Sequence, residues 1–169
     1  FTAFESCNSA PVVDACVNIT YHRERILKPD WAKPMTPHFR LDNNVIIFSL
    51  FPGIREDLIR HIIHTPNLKA IVMRTFGSGN APQSPWLLNA LREGTRNGKV
   101  IVNVSQCLQG AVEMSRYDCG YHLQEAGVIS GRDMTVESAV TKLMFLQSHY
   151  PDSPDTVRSL MGQSLRGEI

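Results

Sequence analysis

An α/β fold, a parallel sheet with helical crossovers, is predicted by three features of the sequence. Short runs of branched apolar residues alternate with amphipathic stripes, the connections between them are short, and cap signals stand where the crossovers should begin. Val45-Ile46-Ile47-Phe48-Ser49-Leu50 is the first such run, rich enough in apolar residues to expect cover on both faces. Pro52-Gly53 breaks it, and Ile54, Leu58, Ile59, Ile62 and Ile63 then recur at helical spacing. Residues 68–73 are a second buried strand. Ser84 and Pro85 suit a helix cap and its first residue, Leu87, Leu88 and Leu91 supply the apolar side, and Gly98 stands where that helix should stop. Residues 100–104 are the third strand, and strands joined in this way expect right-handed crossovers. Two further helices are predicted. One runs over 135–148 with Val136, Ala139, Val140, Leu143 and Met144 on one face; the other covers 154–161 behind Ser153-Pro154. Both should cover the sheet.

Upstream, Val17, Ile19 and Tyr21 alternate with Asn18 and Thr20, the period of a half-buried strand. Pro29, Pro34 and Pro37 then surround Trp31, and proline at that density suits an extended connector. The expected organisation is therefore the end of one structural unit over 1–21, a linker over 22–37 and a compact domain over 38–169.

Composition narrows the class of function. The chain has 169 residues, 43% of them hydrophobic and 20% charged, with 17 Lys+Arg against 16 Asp+Glu, a net +1. That balance excludes a disordered tail and offers no basic surface for nucleic acid or an anionic membrane. No apolar run reaches the ~18 residues that cross a bilayer. Four cysteines, Cys7, Cys16, Cys107 and Cys119, lack metal-site or redox-motif spacing, so reduced thiols and a cytoplasmic location are expected. Asn18-Ile19-Thr20 and Asn103-Val104-Ser105 match the glycosylation pattern, which means little without a secretory signal. The first residue is Phe1, and no signal-peptide pattern follows it, so the chain reads as a piece of something longer.

In open parallel sheets ligands bind beyond the carboxyl ends of the strands. Two loops should leave such ends: Arg74-Thr75-Phe76-Gly77-Ser78-Gly79-Asn80 and Ser105-Gln106-Cys107-Leu108-Gln109-Gly110. Arg74 is the only full charge between Lys69 and Arg92. Its guanidinium fork suits a carboxylate ligand, or equally an acidic residue across a subunit contact. Gly77-Ser78-Gly79 is not a dinucleotide-binding turn, because Pro82 occupies the third glycine position. His61 and His64 are three apart on the first helix, but no further ligand completes a metal site and a solvated face is expected. His22, His38, His122 and His149 read as isolated. No activated Ser, Thr or Cys with a base and an oxyanion donor is evident. No cofactor is expected, and spacing alone leaves a ligand-binding or oligomerising domain.

Four segments together carry a resemblance. They are Leu68-Lys69-Ala70-Ile71-Val72-Met73-Arg74-Thr75-Phe76-Gly77-Ser78-Gly79-Asn80-Ala81-Pro82, Val102-Asn103-Val104-Ser105-Gln106-Cys107, residues 126–137 and Ser164-Leu165-Arg166-Gly167-Glu168. In order and over essentially the whole chain, the sequence resembles the C-terminal half of bacterial type I (cytoplasmic) L-asparaginases. The resemblance implies that the hydrolytic threonines, aspartate and lysine lie in an N-terminal domain, whose motifs are not found here, so that this chain alone is inactive. It implies that residues 1–21 close that catalytic domain and that 38–169 form the C-terminal one. It further implies a homodimer or homotetramer in which Asn80 reaches the partner's active site, and an allosteric asparagine held near Arg74 and Cys107. Around Tyr117-Asp118-Cys119 the related periplasmic type supplies an acid to the partner's site. Two alternatives remain: a non-catalytic amino-acid-binding or assembly module, and an amidotransferase subunit that generates ammonia for tRNA-linked glutamate.

Overall fold

Strand alternation splits each apolar run between two faces, and this builds a three-layer domain around one sheet. The computed structural model describes residues 5–114 and 118–169. The sheet strands are β3 (Val45–Ser49), β4 (Ala70–Thr75), β5 (Val100–Ser105) and β6 (Ile129–Ser130), all parallel and in the order β3-β4-β5-β6. Between them run helices α1 (Glu56–Ile63), α2 (Pro85–Arg96) and α3 (Asp118–Glu125). Ile71, Met73 and Ile101 point to one core with Ile59, Ile63, Leu87, Leu91 and Leu123 of those helices. Ala70, Val72, Val100, Val102 and Val104 point the other way, against Ala139, Leu143 and Leu146 of α4 (Val136–His149) and Val157 and Met161 of α5 (Pro154–Met161). Helices α4 and α5 thus cover the sheet as the sequence predicts.

Local chemistry fixes the boundaries. Thr135 caps α4 by accepting a hydrogen bond from the Ser138 amide at 3.1 Å. Ser84 and Ser153 occupy N-cap positions ahead of prolines but make no side-chain cap bond. Gly98 ends the turn after α2 at φ +82°, a conformation that costs glycine little. Sequence reasoning misses α3 and β6 and expects cover on both faces of β3. As the edge strand, β3 instead leaves Ile47 43% exposed.

The segment ahead of the domain departs further from expectation. β1 (Val13–Ala15) and β2 (Ile19–Tyr21) pair as an antiparallel hairpin, with His22 Nε2 2.8 Å from the Asp14 carboxylate. Tyr21, Ile19 and Val17 are exposed, so this strand is not half-buried: alternation sends side chains to two faces, and neither face finds cover among the described residues. Trp31, Met35 and Phe39 beyond it are also exposed. Polar contacts attach the chain up to Asp42 to the rest of the molecule. Asn8 donates to the Asp133 carbonyl at 2.9 Å, Ser148 to the Arg40 carbonyl at 2.7 Å, and Lys69 to the Asp42 carboxylate at 2.8 Å. Lys69 holds the Asp42 carboxyl below its ordinary range. His38 and His149 are not isolated as expected: Nε2 of His149 lies 2.8 Å from Nδ1 of His38, and both rings pack on Phe145.

Candidate functional site

Register places a row of polar residues along the carboxyl rim of the sheet, where Ser49 pairs with Arg74, Arg74 with Val104, and Thr75 with Ser105. Odd and even positions diverge there. Arg74 shares the face of Ala70 and Val72, on the α4–α5 side, whereas Thr75, Asn103 and Ser105 share the face of Ile71 and Ile101, on the α1–α3 side. Arg74 therefore leaves the rim by the α4–α5 face, whereas the loop that carries Asn80 is tied to Asn103 and Ser105 of the other face.

Asn80 sits at the base of a tight loop. The Phe76 amide donates to the Asn80 carbonyl at 2.9 Å, and the Asn80 amide returns the bond to Phe76 at 2.8 Å. Gly77 and Gly79 take φ of +51° and +103° to close the turn. At Gly79 a β-carbon would lie 2.7 Å from Val112 Cγ1, so glycine is required there for space as well. A buried polar chain supports the loop from below: Thr75 Oγ1 donates to Asn103 Oδ1 at 2.6 Å, and Asn103 Nδ2 donates to the Gly79 carbonyl at 3.1 Å. Both Thr75 and Asn103 are fully buried and would cost stability if unpaired. An asparagine inside the Val-Ile-Val-Asn-Val run is the sequence signal for this chain.

The second loop is held as firmly at its root. The Gln106 side-chain amide donates to the carbonyls of Leu50 at 2.7 Å and Arg74 at 3.0 Å, joining the ends of β3 and β4. Ser105 Oγ donates to the Gly77 carbonyl at 2.5 Å and accepts from the Cys107 amide at 3.0 Å. Cys107 itself is exposed, not the buried thiol that is the commoner state for a free cysteine. Arg74 and Cys107 thus leave adjacent strands.

Arg74 is half-buried and electrostatically idle. Nη1 lies 3.3 Å from Ser49 Oγ, the guanidinium forms no ion pair with a described residue, and Nε is the one buried side-chain nitrogen or oxygen among the described residues without a hydrogen-bond partner. An unmet buried donor costs about 1–3 kcal/mol. A carboxylate accepting from Nε and one Nη would remove that cost and supply the missing charge.

Other expected features fall elsewhere. His61 and His64 are exposed, and His64 Nε2 lies 3.5 Å from Glu93. Among the described residues no group of three or more His, Cys, Asp or Glu side chains is placed to hold a metal ion, and no helix is long and apolar enough to cross a membrane. Tyr117 and the side chains of Asp118 and Cys119 lie outside the described residues.

This arrangement has close counterparts. The chain is 42% identical over 169 residues to the human 60 kDa lysophospholipase and 39% identical over 176 residues to L-asparaginase 1 of Escherichia coli K12. Both alignments take in 100% of the chain but only 29% and 49% of those proteins. The crystal structure of L-asparaginase I from Vibrio cholerae superposes with a TM-score of 0.84 at 38% identity, over 100% of this chain and 50% of that one. The chain thus spans about half or less of the length of these relatives. Residues 44–161 match the glutaminase/asparaginase C-terminal domain, and the chain accordingly belongs to that family as a C-terminal portion.

Proposed function

We propose that this chain is the C-terminal part of an L-asparaginase, which hydrolyses the side-chain amide of L-asparagine to give L-aspartate and ammonia. The nucleophilic threonine belongs to polypeptide outside the chain. In this reading residues 1–21 complete the catalytic domain, 22–37 link it to the rest, and 38–169 form the C-terminal domain. The exposed hairpin and the uncovered Trp31, Met35 and Phe39 support that division, since apolar side chains left in water mark a contact surface. No cofactor takes part, and the protein works in the cytoplasm.

One observation carries the role of the domain: the loop that presents Asn80 is locked at the carboxyl rim by its own hairpin bonds and by the buried Asn103 amide. A rigid loop holds a carboxamide in one geometry, which is what substrate positioning requires. Asn80 would serve the active site of the neighbouring subunit in a homodimer or homotetramer, donating to the substrate carboxylate or accepting from its ammonium without titrating. Arg74, with its unmet Nε, and Cys107 would hold a second asparagine as effector.

The test uses the longer protein. Asn80→Ala lowers turnover of asparagine by about tenfold or more while the subunits remain assembled. Arg74→Ala abolishes sigmoidal dependence on asparagine and leaves the chemical step intact. Normal turnover in the first variant removes Asn80 from the active site, and unchanged cooperativity in the second removes the effector site. A substrate panel with glutamine and a lysophospholipid separates this reading from the activity in the human relative's name. Binding of asparagine with no ammonia release by the longer protein would favour a non-catalytic module.

A further inference from the structure

We propose that the Ser105 hydroxyl is a positioning residue that ties the Cys107 loop to the Asn80 loop. The inference rests on the assignment of Asn80 to the active site and names the part that sets its place. Ser105 is the last residue of β5 and is 8% exposed. Its Oγ stands midway in a chain of bonds: the Cys107 amide donates to it at 3.0 Å, and it donates its own proton to the Gly77 carbonyl at 2.5 Å. Each bond polarises the next, so a hydroxyl in this position transmits a shift of one loop to the other.

The surroundings leave that hydroxyl little freedom. Gly110 folds back over it so closely that a β-carbon there would fall 2.6 Å from Ser105 Oγ and 3.1 Å from Cys107 Cβ. The 105–110 loop is therefore wrapped on the hydroxyl, and only glycine permits it. On the other side the accepting carbonyl belongs to Gly77, three residues before Asn80, whose φ of +51° needs no contact to explain the choice of residue. Asn103 fixes Gly79 from within the core, and Glu113 donates its amide to the Ser78 carbonyl at 3.0 Å. Consecutive carbonyls of Gly77, Ser78 and Gly79 are thus each held, the first and third by Ser105 and Asn103 of β5 and the second by the Glu113 amide. Of these holds, Ser105 alone leads to the loop that carries Cys107.

The experiment measures asparagine turnover in the longer protein. Ser105→Ala lowers kcat by about tenfold and changes KM by less than about twofold, and Ser105→Thr restores most of the loss. Combined with Asn80→Ala, Ser105→Ala adds less than about twofold, because both act through one side chain. Gly110→Ala approaches the same hydroxyl from the Cys107 loop. It lowers kcat in the otherwise natural protein and has a smaller effect in the Ser105→Ala background, where the oxygen at 2.6 Å is gone and the β-carbons of residues 105 and 107 remain at 3.0 and 3.1 Å. Turnover in Ser105→Ala within about twofold of the natural protein overturns the proposal, as do independent, multiplying effects of Ser105→Ala and Asn80→Ala. If Asn80→Ala alone keeps full turnover, the active-site assignment is at fault and the role of Ser105 falls with it. If Ser105→Ala does not fold, the Gly110→Ala and Ser105→Thr pair decides: loss in the first with retention in the second supports the link, and equal activity in both refutes it.

Discussion

The two edges of the sheet treat their cations in opposite ways. At the amino edge Arg158 donates to the carbonyls of Gly127 and Lys99, each at 2.6 Å, and Lys99 donates to the Leu68 carbonyl at 2.6 Å. Burial pushes both groups below their ordinary pKa, yet each finds carbonyl oxygens left over at the ends of helices and strands. At the carboxyl edge Arg74 has a distant serine hydroxyl and an Nε with nothing. The first edge satisfies its cations with backbone carbonyls; the second leaves a buried donor unmet. Positive charge at a sheet edge is therefore informative only together with an account of its partners.

Substitution separates the two edges most sharply. Arg158→Leu leaves the Gly127 and Lys99 carbonyls without their donor and is expected to cost about 3 kcal/mol of unfolding free energy by chemical denaturation. A loss as small as that of an exposed substitution would erase the contrast.

A second, comparable effect lies at the far end of the chain. Lys142 of α4, only 5% exposed at its side chain, pairs with the Glu168 carboxylate at 2.6 Å. Desolvation pushes that carboxyl up, but hydrogen bonds from Lys142 and the amides of Leu165 and Arg166 outweigh it and bring the pKa from 4.5 down to about 2. The native state therefore favours the ionised form. Its stabilisation is complete above about pH 4.5 and disappears as pH falls towards 2, a total of about 3 kcal/mol. Glu168→Gln should flatten that part of the pH–stability curve; an unchanged slope shows that the pair does not fasten the tail.

The smallest effect is expected at the rim. Arg74→Met removes an unmet donor, so stability changes by less than about 1 kcal/mol or rises, even as effector response is lost. A loss as large as that of Arg158→Leu would make Arg74 structural and remove the distinction between the edges.

How much of this was legible from residues alone follows from what each pattern encodes. Strands β3, β4 and β5 and helices α1, α2, α4 and α5 stand out because their apolar spacing is set by the core they enter. Helix α3 is short and carries its apolar residues at 119, 121 and 123, a spacing that traces no helical stripe, and two-residue β6 is too short to show a period. Gly77, Asn80 and Arg74 were recognisable as a loop at a strand end. The chain from Thr75 through Asn103 to Gly79, and the bridge by Ser105, were not, since they depend on which residues of neighbouring strands stand opposite one another. His38 and His149 illustrate the same limit at a separation of 111 residues.

The central claim, that this rim serves a reaction whose nucleophile lies on other polypeptide, meets its most direct test in ammonia release. The purified 169-residue chain is incubated with L-asparagine and compared with the longer protein under the same conditions. The account predicts no release by the chain above the rate in buffer and steady release by the longer protein. Sustained, enzyme-dependent release by the chain alone would contradict it.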